Sequence, residues 1–247
     1  MIWMRSRPLP TSPKGRSIVR QTRVATYKVL PFWGGLGGAS NFSYMFIEIH
    51  PDNPDARKIK QAIDILEKGG VIVYPTDTVY GIGCDITNAK AVERVCQIRK
   101  LDPAKAMLSF ICKDIAQISE YAAQLDNQVF KAMKRNLPGP FTFILNANND
   151  VPKLFKNRKK TIGVRIPDNK IILAIVEGLG RPILTTSLKS DDEILEYFTD
   201  AYDIYQDYEN LVDLVIDGGN GGNVPSALVD CTEDTLNIIR VGPEDLK

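Results

Sequence analysis

Apolar positions fall into a regular pattern from Met45 onward and keep it almost to the end of the chain. Residues 46–50 read as a strand. Pro54 opens a helix to Lys68, with Ile59, Ala62, Ile63 and Leu66 on one face and Gly69-Gly70 ending it. Residues 71–74 form a short apolar strand. Asn88 caps a helix carrying Val92, Val95, Cys96 and Ile98, which stops before Pro103. A strand follows over 107–112. Asp114 caps a helix through Ala122, and another helix runs from Asp126 to Asn136 before Leu137-Pro-Gly-Pro140 breaks the chain. Residues 141–145, 161–166 and 183–186 read as strands, with a helix over 169–177. Strands over 212–216, 227–231 and 237–241 close the chain. Strands alternating with helices predict an α/β fold: an open, twisted, mixed β-sheet with flanking helices in a single domain. The short links between the closing strands predict that part of the sheet is antiparallel.

Residues 1–44 lack such a period and contain Pro8, Pro10, Pro13, Pro31 and four glycines between 34 and 38. Three readings compete for this stretch: a wrongly assigned start with Met45 the true one, a disordered basic extension touching RNA, or an Arg-rich targeting peptide. The immediate onset of pattern at Met45 favours the first, which leaves 45–247 as the domain. Seven of the 31 Lys and Arg residues precede residue 45, where there is no Asp or Glu. The remainder holds 24 basic against 30 acidic residues. Nucleic-acid binding would therefore need a local basic patch or the tail, since the global field is mildly acidic.

No apolar run is long enough to cross a bilayer, which predicts a protein with no membrane partner. Cys84, Cys96, Cys112 and Cys231 show no C-x-x-C spacing, and three lie in apolar runs. That pattern speaks against a disulfide framework or a zinc site and predicts a cytoplasmic location. The single histidine, His50, sits at a strand end far from any candidate nucleophile, so a histidine-based triad or metal pair is excluded. Chemistry here must rely on Lys, Arg, Thr, Ser and Asp.

Four segments stand out. In Tyr74-Pro-Thr-Asp-Thr-Val-Tyr-Gly-Ile-Gly83, Pro75 ends a buried strand, and Thr76, Thr78 and Tyr80 would share one face of an extended segment. Gly81 and Gly83 would let backbone approach a ligand; a tight turn bonded by its own side chains is the rival explanation. Arg99, Lys100 and Lys105 load a helix end, as phosphate ligands or as complements to the helix dipole. Arg165 lies between Val164 and Ile166 in an apolar strand and must meet either an internal carboxylate or a polar cleft. The Gly218-Gly-Asn-Gly-Gly222 loop lacks the Lys-Ser/Thr ending of a Walker loop and leads into a strand.

Pro75-Thr-Asp-Thr-Val-Tyr-Gly-Ile-Gly83, Pro138-Gly-Pro-Phe-Thr-Phe-Ile-Leu145, Thr161-Ile-Gly-Val-Arg-Ile-Pro167, Pro182-Ile-Leu-Thr-Thr-Ser187, Pro225-Ser-Ala-Leu-Val-Asp230 and Ile239-Arg-Val-Gly242 occur in that order. Together they resemble the signature segments of the YrdC/YciO superfamily. The resemblance implies a threonylcarbamoyl-AMP synthase-like protein, of nucleotidyltransferase type if active. Such proteins combine threonine, bicarbonate and ATP, with Mg²⁺, into an adenylate whose threonylcarbamoyl group a partner enzyme passes to adenosine 37 of tRNA. By position, Lys100 and Arg165 would be catalytic. Thr76, Thr78, Tyr80, Thr185, Ser187, Lys189, Ser226 and Arg240 would bind substrate or nucleotide, with no protein-held metal. Two departures resemble the YciO branch: Lys100-Leu101-Asp102 where the synthases have Lys-x-Arg, and Ser187-Leu188-Lys189 where they have Ser-x-Asn. They imply weak or altered activity. Asp102 would turn from the cleft or pair with Lys189, because an anion beside a triphosphate is unfavourable. The alternative function is a non-catalytic module for double-stranded RNA or tRNA on the same fold.

A chain beginning at Met45 is expected to keep the melting temperature of the full chain. A loss of several degrees would show that residues 1–44 dock on the domain.

Overall fold

The computed structural model describes residues 45–102, 108–151, 160–189, 197–233 and 235–247. The extension of residues 1–44, Lys105 and the start of the 107–112 strand lie outside them. The described elements are β1 (Met45–Glu48), α1 (Ala56–Glu67), β2 (Val71–Tyr74), β3 (Gly81–Asp85), α2 (Ala89–Ile98), β4 (Ser109–Ile111), α3 (Ile115–Ser119), α4 (Asn127–Asn136), β5 (Phe141–Asn146), β6 (Thr161–Arg165), α5 (Lys170–Leu179), β7 (Ile183–Ser187), α6 (Ala201–Tyr208), β8 (Leu214–Asp217), β9 (Ala227–Asp230) and β10 (Asn237–Arg240). Each described helix starts at an Asp or Asn whose side chain accepts a backbone N–H of the first turn: Asp55, Asn88, Asp114, Asp126, Asn169 and Asp200.

The strands form one mixed sheet in the order β1-β8-β2-β3-β7-β4-β6-β5-β9-β10. The pairs β1/β8, β2/β8, β4/β6 and β5/β9 are parallel; β2/β3, β3/β7, β4/β7, β5/β6 and β9/β10 are antiparallel. Two elements escape the sequence pattern. β3 (Gly81–Asp85) carries two glycines and looks like a loop, and α6 mixes aromatics with acids. The helix expected through Ala122 ends at Ser119. β8 and β9 are close in sequence but stand at opposite sides of the sheet, so the closing strands do not form one meander.

One face of the sheet buries Ile82, Leu184, Phe110, Val164, Phe143 and Val229 against apolar residues of α2, α3 and α4. On the other face, α1 and α5 cover Ile72, Tyr74, Leu214 and Ile216, reaching as far as Ile183 and Ile111. Beyond that point no described helix packs on this face. Its alternate positions on β4, β6, β5 and β9 line an open cleft instead, which makes the uncovered half of the sheet the place for a ligand.

Asp85 closes β3 and is 2% exposed. Arg181 donates to its Oδ2 through Nε (2.8 Å) and Nη2 (2.5 Å), and Thr87 donates to its Oδ1 through backbone N (2.9 Å) and Oγ1 (2.8 Å). Burial alone would raise the carboxyl, but the bonds from Arg181 and Thr87 outweigh it and hold Asp85 below the usual carboxylate range. A folded-state value below the unfolded one gives stability that is complete above about pH 4 and lost as the pH falls through the lower value. Asp85→Asn is expected to cost about 1.5–3 kcal/mol at pH 7 and to flatten the fall of melting temperature in acid. An acid limb that still tracks the wild type would remove this assignment.

Candidate functional site

The cleft encloses about 360 Å³, within the range of small-molecule sites. Its floor follows the two-residue period of the strands: Ser109 and Ile111 on β4, Thr161, Gly163 and Arg165 on β6, Thr142 and Ile144 on β5, Leu228 on β9 and Thr185 and Ser187 on β7. Small residues keep it open. A Cβ on Gly163 would stand 2.5 Å from Ser109 Oγ.

Above the floor runs a strap formed by residues 75–80. Thr76 Oγ1 donates to Val79 O (2.7 Å) and accepts Thr78 N (3.1 Å), so the segment bends on itself and is not extended. The three hydroxyls therefore do not share one ligand-facing side. Thr76 and Tyr80 line the cleft, whereas Thr78 is buried beneath the strap and does not. The Tyr80 hydroxyl turns away to donate to Gly219 O (2.6 Å).

Tyr74 explains the glycines of β3. Its hydroxyl donates to Thr185 Oγ1 at 2.5 Å, two strands away, so its ring must pass over β3. A Cβ on Gly81 would meet the ring at 3.1 Å, and one on Gly83 would overlap Leu184 O. Internal packing therefore requires both glycines, and of the two only Gly81 also lines the cleft. Burial pushes both the Tyr74 and Tyr80 hydroxyls up, so both stay protonated as donors.

Arg165 joins floor to strap. Its Nη2 donates to Asp77 Oδ1 and to Thr78 Oγ1 (2.8 Å), and the pair is buried, with side chains 8% and 11% exposed. Burial lowers the guanidinium from its ordinary value, and the Asp77 carboxylate opposes that shift. Both alternatives posed for Arg165 hold, since it meets an internal carboxylate and also lines the cleft. Arg165 Nε and Asp77 Oδ2 are buried without a hydrogen-bond partner among the described residues.

At the β10 end, Arg240 donates to Ser226 O through Nε (3.1 Å) and Nη2 (2.9 Å), and Ser226 Oγ lies 2.8 Å from Thr142 Oγ1. At the other end, Lys189 Nζ sits 5.4 Å from the Tyr197 ring centre. Thr185, Ser187, Lys189, Ser226 and Arg240 all line the cleft.

Lys100 does not. It is exposed at φ 52°, just past α2, while the preceding Arg99 faces inward. Arg99 Nη1 donates to Lys189 O (3.3 Å). The expectation for Lys100 is one residue out of register at the point where the helix ends, because the C-cap turn reverses the direction of successive side chains. Asp102 is exposed and outside the lining. Sequence reasoning also misses Asp77 and Tyr74. Asp77 carries a usable signal as the nearest acid within a hydroxyl-rich strap; Tyr74 looks like ordinary core.

The family model Sua5_yciO_yrdC, described as telomere recombination, matches residues 64–242. The chain belongs to the Sua5/YciO/YrdC family. The uncharacterized protein YciO of Escherichia coli K12 is 45% identical over 204 residues, which is 82% of this chain and 97% of that one. The crystal structure of E. coli YciO matches with a TM-score of 0.77 at 43% identity, covering 82% of this chain and 98% of that one. More distant relatives are threonylcarbamoyl-AMP synthases. That of Pyrococcus abyssi is 29% identical over 186 residues, 75% of this chain but 54% of that protein. The structure of P. abyssi Sua5 complexed with L-threonine has a TM-score of 0.72 at 27% identity, covering 80% of this chain and 57% of that one.

Since Arg99 and not Lys100 faces the cleft, Arg99→Ala should weaken binding of inorganic pyrophosphate by roughly ten-fold, the size of one charge-assisted hydrogen bond. Lys100→Ala should change it less than about two-fold, the worth of an exposed charge. Calorimetric titration of both variants decides this, and the reverse order would restore Lys100.

Proposed function

We propose that this chain is a threonylcarbamoyl-AMP synthase-like enzyme that binds threonine and ATP in the cleft. The charge of the lining carries the proposal. Arg99, Arg165, Lys189 and Arg240 face the cleft, with no Asp or Glu among the described lining residues. This occurs in a domain with 24 basic and 30 acidic residues from position 45 onward. Such local concentration of cations suits a small polyanion and a carboxylate.

Arg165, held between Asp77 and Thr78, would take the amino-acid carboxylate, with Thr76, Thr185 and Ser187 offering hydroxyls. Arg99, Lys189 and Arg240 would take phosphate oxygens, and Leu108, Ile144 and Leu228 would receive less polar parts. The threonine amine and bicarbonate would condense to a carbamate with loss of water. A carbamate oxygen would then bond to the α-phosphorus while the bond to the pyrophosphate oxygen breaks, and pyrophosphate leaves with the electron pair. This route needs alignment and charge stabilisation but no nucleophilic side chain, which fits the absence of His, Cys, Asp and Glu among the described lining residues.

Mg²⁺ would arrive with ATP. No group of three or more His, Cys, Asp or Glu among the described residues could hold a metal by itself. Phosphate oxygens and water would be its main ligands, and it would neutralise phosphate charge. The adenylate would feed tRNA threonylcarbamoyladenosine formation through a partner enzyme. The Lys100-Leu-Asp102 and Ser187-Leu-Lys189 departures support weak or altered activity, because Lys189 adds a cation to the lining. A duplex-RNA module is the weaker reading: the four cations converge in a cavity and are not spread along a face as phosphate tracking requires.

Pyrophosphate release should require ATP, threonine and bicarbonate together. Arg165→Lys keeps a charge but loses the guanidinium fork, and should lower that release roughly 10- to 100-fold. RNA binding without threonine-dependent turnover in the wild type would replace this function with the rival.

A further inference from the structure

The connection between β8 and β9 crosses almost the whole sheet. β8 stands second and β9 ninth in the strand order. The connection, residues 218–226, lies as a belt across the strap. Gly222 N donates to Thr78 O at 2.5 Å, and Gly221 N donates to Thr199 O at 2.8 Å. The belt can approach so closely because it carries no Cβ at the contacts. One on Gly222 would lie 2.6 Å from Thr78 O and 3.3 Å from Thr78 C; one on Gly221 would lie 2.7 Å from the Tyr80 ring.

We infer that Gly222 is a positioning residue for the cleft: it presses the strap at Thr78, and Thr78 Oγ1 sets where the Arg165 guanidinium stands. The chain of contacts is short and polar throughout, from Gly222 N to Thr78 O and from Thr78 Oγ1 to Arg165 Nη2. Thr78 is 2% exposed and Arg165 7% exposed, so neither can relax into solvent when the belt shifts. The glycine-rich loop thus acts on an anion site without touching the ligand.

Arg165 Nε–H reports its own environment in a ¹⁵N–¹H spectrum of the full chain, assigned by its loss in Arg165→Lys. Gly222→Ala should shift that signal and so should Thr78→Val, while Gly180→Ala should leave it in place. Gly180 has φ 72° at the end of α5, and a Cβ there would meet nothing within 4 Å, so its substitution lowers the melting temperature without a route to Arg165. In Thr78→Val, adding Gly222→Ala should produce no further shift. An unmoved Arg165 signal in folded Gly222→Ala, or additive shifts in the double variant, overturns the inference. The ligand arm rests on the proposed function: L-threonine affinity should fall roughly ten-fold in Gly222→Ala and stay unchanged in Gly180→Ala. If the wild type binds no threonine while the Arg165 signal still moves, the proposed function fails and the positioning role stands.

Discussion

Burying the Arg165 guanidinium beneath Asp77 and Thr78 ties together parts of the chain that are far apart in sequence. An isolated buried cation is very costly, and removing one partner from a buried pair typically costs about 3–5 kcal/mol. The strap must therefore stay over β6 for the fold to tolerate Arg165 at all. Two tyrosines secure it from opposite sides: Tyr74 reaches down to Thr185 on β7, and Tyr80 reaches up to Gly219 on the belt. The glycines of β3 and of the belt are the steric counterpart of those reaches.

The same pair divides the cleft electrically. Asp77 balances Arg165, so the deep part is nearly neutral but keeps a donor edge, the buried Nε. Arg99, Lys189 and Arg240 lie elsewhere in the lining, which holds no described carboxylate. A zwitterionic amino acid suits the balanced part, because its carboxylate can meet a donor without confronting a surplus of charge. A polyphosphate suits the other. The proposed pairing of an amino acid with a polyphosphate thus rests on where Asp77 stands as much as on the number of cations.

Most of the framework is legible in the sequence because its helices are amphipathic and capped by Asp or Asn, and its central strands are short apolar runs bounded by turn residues. β3 is not legible, because Gly81 and Gly83 are poor strand formers required by the Tyr74 ring and the neighbouring strand, contacts that exist only after folding. α6 escapes because Tyr202, Asp203, Gln206 and Asp207 mask the few positions it buries, Ala201 and Ile204. The cleft is legible in composition but not in detail. Eight of the ten proposed site residues line it. Thr78 and Lys100 do not, and the reason is local in both cases: a bend in the strap turns Thr78 under, and the positive φ after α2 turns Lys100 out. Residue-by-residue transfer fails where the backbone changes direction, and site edges are commonly built from such places.

The described lining holds no His, Cys, Asp or Glu, which bears on the proposed mechanism. Histidine is the side chain whose ordinary protonation changes between about pH 5 and 8, and His50 lies outside the cleft, where its Nδ1 accepts Asp52 N and Asn53 N in a surface turn. Burial keeps the Tyr74 and Tyr80 hydroxyls protonated. The four cysteines are free and buried away from the lining, and burial raises their thiols. The described lining thus holds no histidine, cysteine or carboxylate to exchange a proton with a ligand. Under the proposed reaction, the threonine amine, which must lose its proton before it can form a carbamate, would carry pH dependence of its own.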